Sequence, residues 1–197
     1  MTAPGPSWRA LAPAVAAMAF LVVVSNVLVA YPLPYFGLGE WLTWAAFTYP
    51  VTFVVNDLTN RRFGPAAAMR VVAVGFALGV ILSVAAAGLR IGLASGIAFL
   101  AAQLLDALVF DRLRRQTWWR APAISSVLGS ILDTALFFSI AFAFTSVPWI
   151  TLAVGDLAVK LLLALVMLAP FRLAMAHIRA LPNPASGTAA TGCAAAG

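Results

Sequence analysis

The chain has 197 residues, of which 63% are hydrophobic and only 9% are charged. Its mean hydropathy of +1.02 excludes an ordinary soluble domain and is typical of a polytopic membrane protein. The single cysteine, Cys193, excludes a disulfide framework and a cysteine metal site. The net charge of +6 comes from arginines clustered between apolar segments, which indicates membrane topology rather than a nucleic-acid surface.

Six membrane-spanning helices are predicted, each near the roughly 20 residues needed to cross about 30 Å of hydrocarbon. The apolar runs lack the alternation of barrel strands, so the fold class predicted is all-α. In chain order the predicted spans cover residues 11–31, 41–58, 67–89, 92–110, 122–145 and 149–170. Residues 1–10 and 181–197 are rich in small residues and proline, so we expect disordered tails on either side of one transporter-like domain, 11–180.

Charge asymmetry predicts the orientation of these spans. Arginines follow spans two, four and six: Arg61, Arg62, Arg70, Arg112, Arg114, Arg115, Arg120, Arg172 and Arg179. The opposite side carries only Glu40 and Arg90. Because positive residues remain on the cytoplasmic side, both termini are predicted to be cytoplasmic. Aromatic belts are predicted at both interfaces, from Trp41, Trp44, Trp118, Trp119 and Trp149.

Polar residues inside the predicted spans are the candidates for a site. A charge at the centre of a spanning helix costs about 2.5–3.5 kcal/mol on insertion scales, so it needs a partner or a cavity. Two helical stripes combine such residues with aromatic rings: Phe99, Gln103, Asp106 and Phe110 in span four, and Ser126, Ser130, Asp133 and Phe137 in span five. At about 1.5 Å per residue, Asp133 lies roughly 18 Å beyond Ala121, near the middle of the membrane.

Local ion pairs offer a structural alternative for some of these charges. Asp156 and Lys160 are one turn apart and either neutralise each other or form part of a ligand or ion pathway. Asp57 could pair with Arg61 at the cytoplasmic end of span two. Asp106 lies deeper, which favours a role in a site over packing alone.

Short motifs indicate helix packing rather than catalysis. Glycines separated by four residues, at 75 and 79 and at 92 and 96, are typical of close helix contacts through small residues. The chain has no Walker motif, no HExxH and no glycine-rich phosphate loop. No catalytic residue, metal or cofactor is therefore predicted.

The predicted polar stripes suit a planar, hydrogen-bonding ligand. Carboxylates and amides accept and donate hydrogen bonds, while phenylalanines provide flat apolar faces. A guanine-like base offers adjacent N–H donors to a carboxylate. A sugar or a vitamin could use the same groups, so this chemistry leaves the ligand class open.

Three blocks of the sequence carry a resemblance to a known family. They are "YPVTFVVNDLTNRRFG" (49–64), "SGIAFLAAQLLDALVFDRLRR" (95–115) and "SSVLGSILDTALFFSIAF" (125–142), supported by "GDLAVKLLLALVMLAPF" (155–171). Together they resemble the queuosine precursor transporter family, also called the vitamin uptake transporter family.

The resemblance implies a six-helix protein of the bacterial inner membrane that imports 7-cyano- or 7-aminomethyl-7-deazaguanine. These precursors are later inserted into tRNA as queuosine, so the tRNA itself is not an expected partner. Matching positions imply site residues at Asp57, Asn60, Gln103, Asp106, Ser130, Asp133, Thr134 and Lys160. Arg61 stands where the family often has a glutamate, which favours an Asp57–Arg61 pair in this chain.

The mechanism expected from these residues is hydrogen bonding to the base combined with stacking. Asp133 and Asp106 would accept hydrogen bonds from the base edge, and Gln103 would supply amide groups. Phe99 or Phe137 would stack on the ring. The expected partners are the small-molecule substrate and membrane lipid, and a homo-oligomer is left open.

Two other functions compete with a solitary importer. One is the substrate-binding subunit of an energy-coupling-factor vitamin transporter, which also has six helices and works with ATPase subunits. The other is a noncatalytic membrane scaffold, whose polar groups only hold helices together. Copurification with ATPase subunits would favour the first, and an absence of saturable uptake would favour the second.

Overall fold

The computed structural model describes residues 6–28, 31, 33–35, 44–146 and 149–178. Within these ranges the regular structure is entirely helical, in the order α1 Trp8–Leu28, α2 Ala45–Thr48, α3 Val51–Phe63, α4 Pro65–Ala87, α5 Leu89–Leu113, α6 Arg120–Phe142, α7 Trp149–Val166 and α8 Leu168–Met175. Several predictions fall outside the described residues, namely those for Glu40, Trp41, Arg179, Cys193 and the tail 181–197.

Five helical segments of the described chain are long and apolar enough to cross a membrane. They are Trp8–Ser25, Pro65–Ala86, Leu89–Leu113, Arg120–Phe142 and Trp149–Met175. The prediction of an all-α membrane protein is thereby confirmed. These segments correspond to predicted spans one, three, four, five and six.

The second predicted span, 41–58, is not one continuous helix in the structure. The short helix α2 ends at Thr48, Tyr49 and Pro50 form a turn, and α3 then runs for 13 residues. Proline has no backbone N–H and so cannot continue the hydrogen-bond ladder of α2. The Thr52 hydroxyl instead donates to the Tyr49 carbonyl at 2.7 Å. The break makes α3 a separate short helix.

Single glycines form the turns on both sides of α4. Gly64 and Gly88 have φ values of 86° and 85°, a region that glycine enters without steric cost. Their backbone N–H groups bond to the carbonyls of Asn60 and Val84 at 2.8 and 3.0 Å. The chain therefore reverses sharply from α3 into α4 and from α4 into α5.

Two glycines bring neighbouring helices close together, as the sequence predicts. A Cβ atom at Gly92 would lie 2.6 Å from the backbone nitrogen of Val84, so α5 packs directly on the backbone of α4. A Cβ at Gly75 would lie 2.8 Å from Cγ of Met18, which places α4 against α1. These contacts form the apolar side of the bundle.

The arginine-rich helix ends meet at one end of the bundle. Arg114 donates to the backbone carbonyl of Arg61 at 3.2 Å, and the Arg172 guanidinium lies 5.0 Å from the ring centroid of Trp118. Arg90 lies at the other end of α5, where it donates to a carbonyl just beyond α6 at 2.6 Å. This arrangement matches the charge asymmetry on which the predicted orientation depends.

Candidate functional site

The most polar buried surface of the bundle lies where α3 faces α5 and α6. We call it the acceptor cluster and define it by Thr52, Asn56, Asp57, Asn60, Gln103, Asp106 and Ser125. All seven side chains are buried, and Asn56, Asn60, Gln103 and Asp106 have no exposed surface at all. On α3 they recur with helical spacing, so one face of the short helix carries all four of its polar members.

The amide groups of this cluster use their N–H donors on the protein. Asn56 Nδ2 donates to the backbone carbonyl of Gln103 at 3.0 Å and to Oδ2 of Asp106 at 2.9 Å. Asn60 Nδ2 donates to the backbone carbonyl of Ala107 at 2.7 Å. Gln103 Nε2 donates to the Thr52 hydroxyl at 2.8 Å. These bonds attach α3 to α5.

The same bonds fix which way each amide points. A backbone carbonyl can only accept, so the Asn56 and Asn60 nitrogens must face their carbonyl partners. The Thr52 hydroxyl already donates its proton to a backbone carbonyl, so it must accept from Gln103. The amide oxygens are therefore directed away from these partners.

Four buried oxygens of the cluster accept no hydrogen bond from any described residue. They are Asn56 Oδ1, Asn60 Oδ1, Gln103 Oε1 and Asp106 Oδ1. Leaving a buried acceptor unpaired costs about 1–3 kcal/mol, so such groups are rare in folded proteins. Their grouping on two facing helices makes this surface a candidate site for a ligand that carries hydrogen-bond donors.

The structure contradicts the ion pair between Asp57 and Arg61 that the sequence predicts. Its carboxyl accepts from the Ser125 hydroxyl at 3.3 Å and lies within hydrogen-bonding reach of the Asp106 carboxyl. No ion pair joins Asp57 to Arg61 within the described ranges. Asp57 lies on the face of α3 that packs into the bundle, and it is 1% exposed. The packing of α3 against its neighbours, and not the four-residue spacing of Asp57 and Arg61, therefore determines the partners of Asp57.

A second buried polar group lies between α6 and α7. We call it the Lys160 cluster and define it by Tyr49, Asp133, Thr134, Asp156 and Lys160. Lys160 Nζ lies 2.7 Å from Oδ2 of Asp133 and 2.5 Å from Oδ2 of Asp156. The Tyr49 hydroxyl donates to Oδ1 of Asp133 at 2.9 Å, and Thr134 donates to Asp156 at 2.9 Å. The cluster thus joins one cation to two carboxylates.

The predicted pairing of Asp156 with Lys160 is confirmed, but it is part of a larger unit. Asp133 comes from a different helix and contributes the second carboxylate. Lys160 also lies 5.4 Å from the ring centroid of Tyr49, a cation–π contact. Both oxygens of Asp133 are occupied by these partners. The Lys160 cluster is therefore largely paired within itself.

Tyr49, in the turn before α3, connects the two clusters. The hydroxyl of Tyr49 reaches Asp133, while its backbone carbonyl accepts from Thr52 at 2.7 Å. Thr52 in turn accepts from Gln103 at 2.8 Å. The sequence analysis does not select Tyr49 as a site residue. Its only local signal is an aromatic residue directly before a proline within an apolar segment.

The structure divides the ten predicted site residues among several places. The acceptor cluster contains Asp57, Asn60, Gln103 and Asp106, and the Lys160 cluster contains Asp133, Thr134 and Lys160. Ser130 is buried one turn before Asp133. Phe99 packs with Met18, Val22, Val71 and Val72. Phe137 makes its ring contacts with Phe138 and Phe142, towards the end of α6.

A cavity lies against a different face of α3. Its volume is about 580 Å³, and it lies between α1, α3 and the segment after α8. Its lining is mostly alkyl, with Arg62 and His177 at the arginine-rich end. It contains none of the ten predicted site residues, so its size alone does not make it the substrate site.

The comparisons with known proteins assign the family. The model of the family described as "Putative vitamin uptake transporter" matches residues 43–88 and 82–175. The chain belongs to this vitamin uptake transporter family. The match includes α3, α5, α6 and α7, the helices that carry both polar clusters. The resemblance seen in the sequence blocks is thereby confirmed.

Three curated relatives of this family member have related names. The queuosine precursor transporter of Escherichia coli (strain K12) is 33% identical over 176 residues, covering 76% of this chain and 79% of that protein. A probable queuosine precursor transporter of Haemophilus influenzae is 34% identical over 154 residues, with coverages of 65% and 66%. One of Bacillus subtilis (strain 168) is 25% identical over 194 residues, with coverages of 83% and 82%. No solved structure gives a significant match.

Family membership and the apolar helices together define the general class of this protein. It is a multi-pass transporter of the bacterial inner membrane, and it acts on a small-molecule substrate.

Proposed function

We propose that this vitamin uptake transporter family member imports queuosine precursors, 7-deazaguanine bases, into the cell. The names and coverage of its relatives support this substrate class. The observation that carries the proposal is the acceptor cluster, in which four site residues from two separate sequence blocks form one buried surface. Those four residues are Asp57, Asn60, Gln103 and Asp106.

Transport requires this buried surface to open to each side of the membrane in turn. Helix α3 is suited to such movement because it is short, begins after the Tyr49–Pro50 turn and ends at Gly64. Discontinuous helices of this kind often form the central sites of transporters, where irregular backbone lines the pathway. In this proposal a movement of α3 exposes the acceptor cluster.

The Lys160 cluster has a supporting role in the proposed mechanism. Because Tyr49 and Lys160 occupy both oxygens of Asp133, that carboxylate is held for structure and does not contact the base. Asp106 has no cation beside it among the described residues, and in this proposal it is the carboxyl that receives the substrate. Ser130, Thr134 and Lys160 position α6 and α7 around the site.

The test uses a bacterial strain that cannot make the deazaguanine precursor and lacks its own importer. The chain is expressed there with a low external concentration of 7-cyano- or 7-aminomethyl-7-deazaguanine, and queuosine is measured in tRNA. We expect queuosine to return. If it does not return although the protein is present in the membrane, the proposed function is wrong.

Removal of host ATPase subunits separates a solitary carrier from an energy-coupling-factor subunit. A solitary carrier restores queuosine in a host without those subunits. If recovery requires them and they copurify with this chain, the energy-coupling-factor alternative replaces the proposal.

The variant Asp106→Asn tests the site itself. It replaces a carboxylate with an amide of the same shape, so half of its acceptor capacity becomes a donor. We expect uptake to fall at least about tenfold, as for sites that recognise a substrate N–H. Ser95→Ala is the control, because Ser95 lies about three turns before Asp106 on α5 and outside both clusters, and its uptake should equal that of the wild type. Wild-type uptake by Asp106→Asn would remove this residue from the site.

A further inference from the structure

We infer that the acceptor cluster recognises the N–H edge of the substrate through its unpaired oxygen atoms, and thereby selects for the 2-amino group of the base. This inference rests on the proposed function and specifies the chemistry of its binding site.

The first step of the argument is the direction of the amides. Gln103 and Asn60 each direct the amide nitrogen at a protein acceptor, Thr52 and the Ala107 carbonyl, so one of the two N–H groups of each amide is used within the bundle. Asn56 uses its nitrogen on Gln103 and Asp106. The atoms of these side chains that have no partner among the described residues are therefore all oxygens, and acceptors predominate in what the surface offers to a ligand.

The second step is the grouping of the oxygens. Asn56 and Asn60 are one turn apart on α3, and Gln103 and Asp106 are about one turn apart on α5. Direct bonds from Asn56 to both α5 residues show that these two pairs face each other. Each of the four residues carries a fully buried oxygen that accepts nothing from the described part of the chain.

The third step is the chemistry of the complementary ligand. A surface on which unpaired acceptors predominate favours N–H groups over carbonyl oxygens and over ring nitrogens with lone pairs. A 2-amino-4-oxo pyrimidine ring presents the N1–H and the exocyclic amino group side by side. Loss of the amino group removes two N–H donors from that edge and leaves protein acceptors unpaired in the complex.

The alternative location for this edge is the Lys160 cluster, and its chemistry is less suitable. Lys160 is a donor-only side chain, and Asp133 already accepts from Lys160 and Tyr49. A base edge placed there would first have to displace a buried ion pair. The acceptor cluster needs no such displacement.

The experiment compares two competitors of labelled 7-cyano-7-deazaguanine uptake. One is the unlabelled compound, and the other is 7-cyano-7-deazahypoxanthine, which lacks only the 2-amino group. We expect the half-inhibition concentration of the second compound to be at least about tenfold higher than that of the first. A site that binds a substrate N–H discriminates against an analogue that lacks it. Equal inhibition by both, in cells with robust uptake, would overturn the inference and leave the proposed function intact.

Two variants test which oxygen atoms distinguish the two competing compounds. Gln103→Met and Asn60→Leu each remove one acceptor oxygen with little change in side-chain shape. We expect the ratio of the two half-inhibition concentrations to fall at least about threefold in both, while Ser95→Ala retains the wild-type ratio. A wild-type ratio in both variants would overturn the assignment of these oxygens.

Membrane levels of each variant are measured in parallel. Asn60→Leu also removes the bond from α3 to Ala107, so its level could fall. Gln103→Met removes only the bond to Thr52 and keeps the length of the side chain. The ratio is independent of the amount of transporter, so any residual uptake by either variant suffices for the comparison.

Discussion

The two buried polar clusters differ in how completely they are paired. In the Lys160 cluster a cation lies between two carboxylates, and Tyr49 and Thr134 donate to the same carboxylates. In the acceptor cluster every amide nitrogen has a partner, yet four oxygens have none among the described residues. Both clusters are buried in the same bundle, and they are connected through Tyr49 and Thr52.

Under the proposed function, this difference assigns the stability of the fold to the Lys160 cluster and ligand binding to the acceptor cluster. A paired ion cluster gains nothing from a further donor, and the loss of one member leaves an unpaired charge. A surplus of acceptors is costly in the closed protein and is relieved when donors arrive. Mutations should therefore affect stability in the Lys160 cluster and substrate recognition in the acceptor cluster.

The largest expected effect is that of Lys160→Met. It leaves the carboxylates of Asp133 and Asp156 buried without their cation, and removing one partner of a buried ion pair costs about 3–5 kcal/mol. We expect a marked fall in the melting temperature of the detergent-solubilised protein and in its membrane level. Lys160→Arg, which keeps the charge, is the matched control and should be milder.

Neutralising Asp133 and Asp156 tests whether unpaired charge causes the loss of stability in Lys160→Met. Adding Asp133→Asn and Asp156→Asn to Lys160→Met removes the unpaired charges, and part of the stability should return. A triple variant as unstable as Lys160→Met would show that packing of the lysine, and not its charge, stabilises α6 against α7.

Tyr49→Phe is expected to have an intermediate effect. It removes the hydroxyl that donates to Asp133 at 2.9 Å, a bond to a charged group worth about 1.5–3 kcal/mol. The ring, which lies against Phe53 and Phe99, stays in place. The loss is measured as a lower melting temperature, with Tyr31→Phe at an exposed position as the control. Equal melting temperatures for the two variants would contradict the structural role of the hydroxyl.

Hydropathy and charge predict much of the fold because each signal is local. Runs of apolar residues locate five of the spans, and the four-residue spacing of Asp156 and Lys160 predicts their ion pair. The same local rule fails for Asp57, because helix spacing does not reveal which helices pack on its face. Its contacts come from Ser125 on α6 and Asp106 on α5.

The division into two clusters also depends on long-range packing. The sequence analysis predicts that both Asp133 and Asp106 accept hydrogen bonds from the base edge. Their difference arises from Lys160, which reaches Asp133 across 27 positions of sequence, whereas Asp106 meets only the amide nitrogen of Asn56 and other carboxyl or hydroxyl groups. Pro50 is the one local signal for the helix break that brings Tyr49 between the clusters.

Gln103→Met should have a smaller effect on stability than either change in the Lys160 cluster. It removes one neutral hydrogen bond, worth about 0.5–1.5 kcal/mol, together with an oxygen that has no partner among the described residues. Since these two terms oppose each other, we expect the melting temperature to change little while uptake falls. A loss of stability as large as that of Lys160→Met would mean that the acceptor cluster also holds the fold.

The smallest effect is expected for Asp111→Asn, which lies outside both clusters. Asp111 pairs with Arg114 at 2.8 Å near the arginine-rich end, where its side chain is 40% exposed. Exposed pairs contribute about 0–1 kcal/mol, and Arg114 keeps its bond to the backbone carbonyl of Arg61. We therefore expect nearly unchanged melting and wild-type uptake. If this variant instead abolished uptake with normal membrane levels, the charge of Asp111 at the helix ends would take part in transport. The residues required for transport would then extend beyond the buried acceptor cluster.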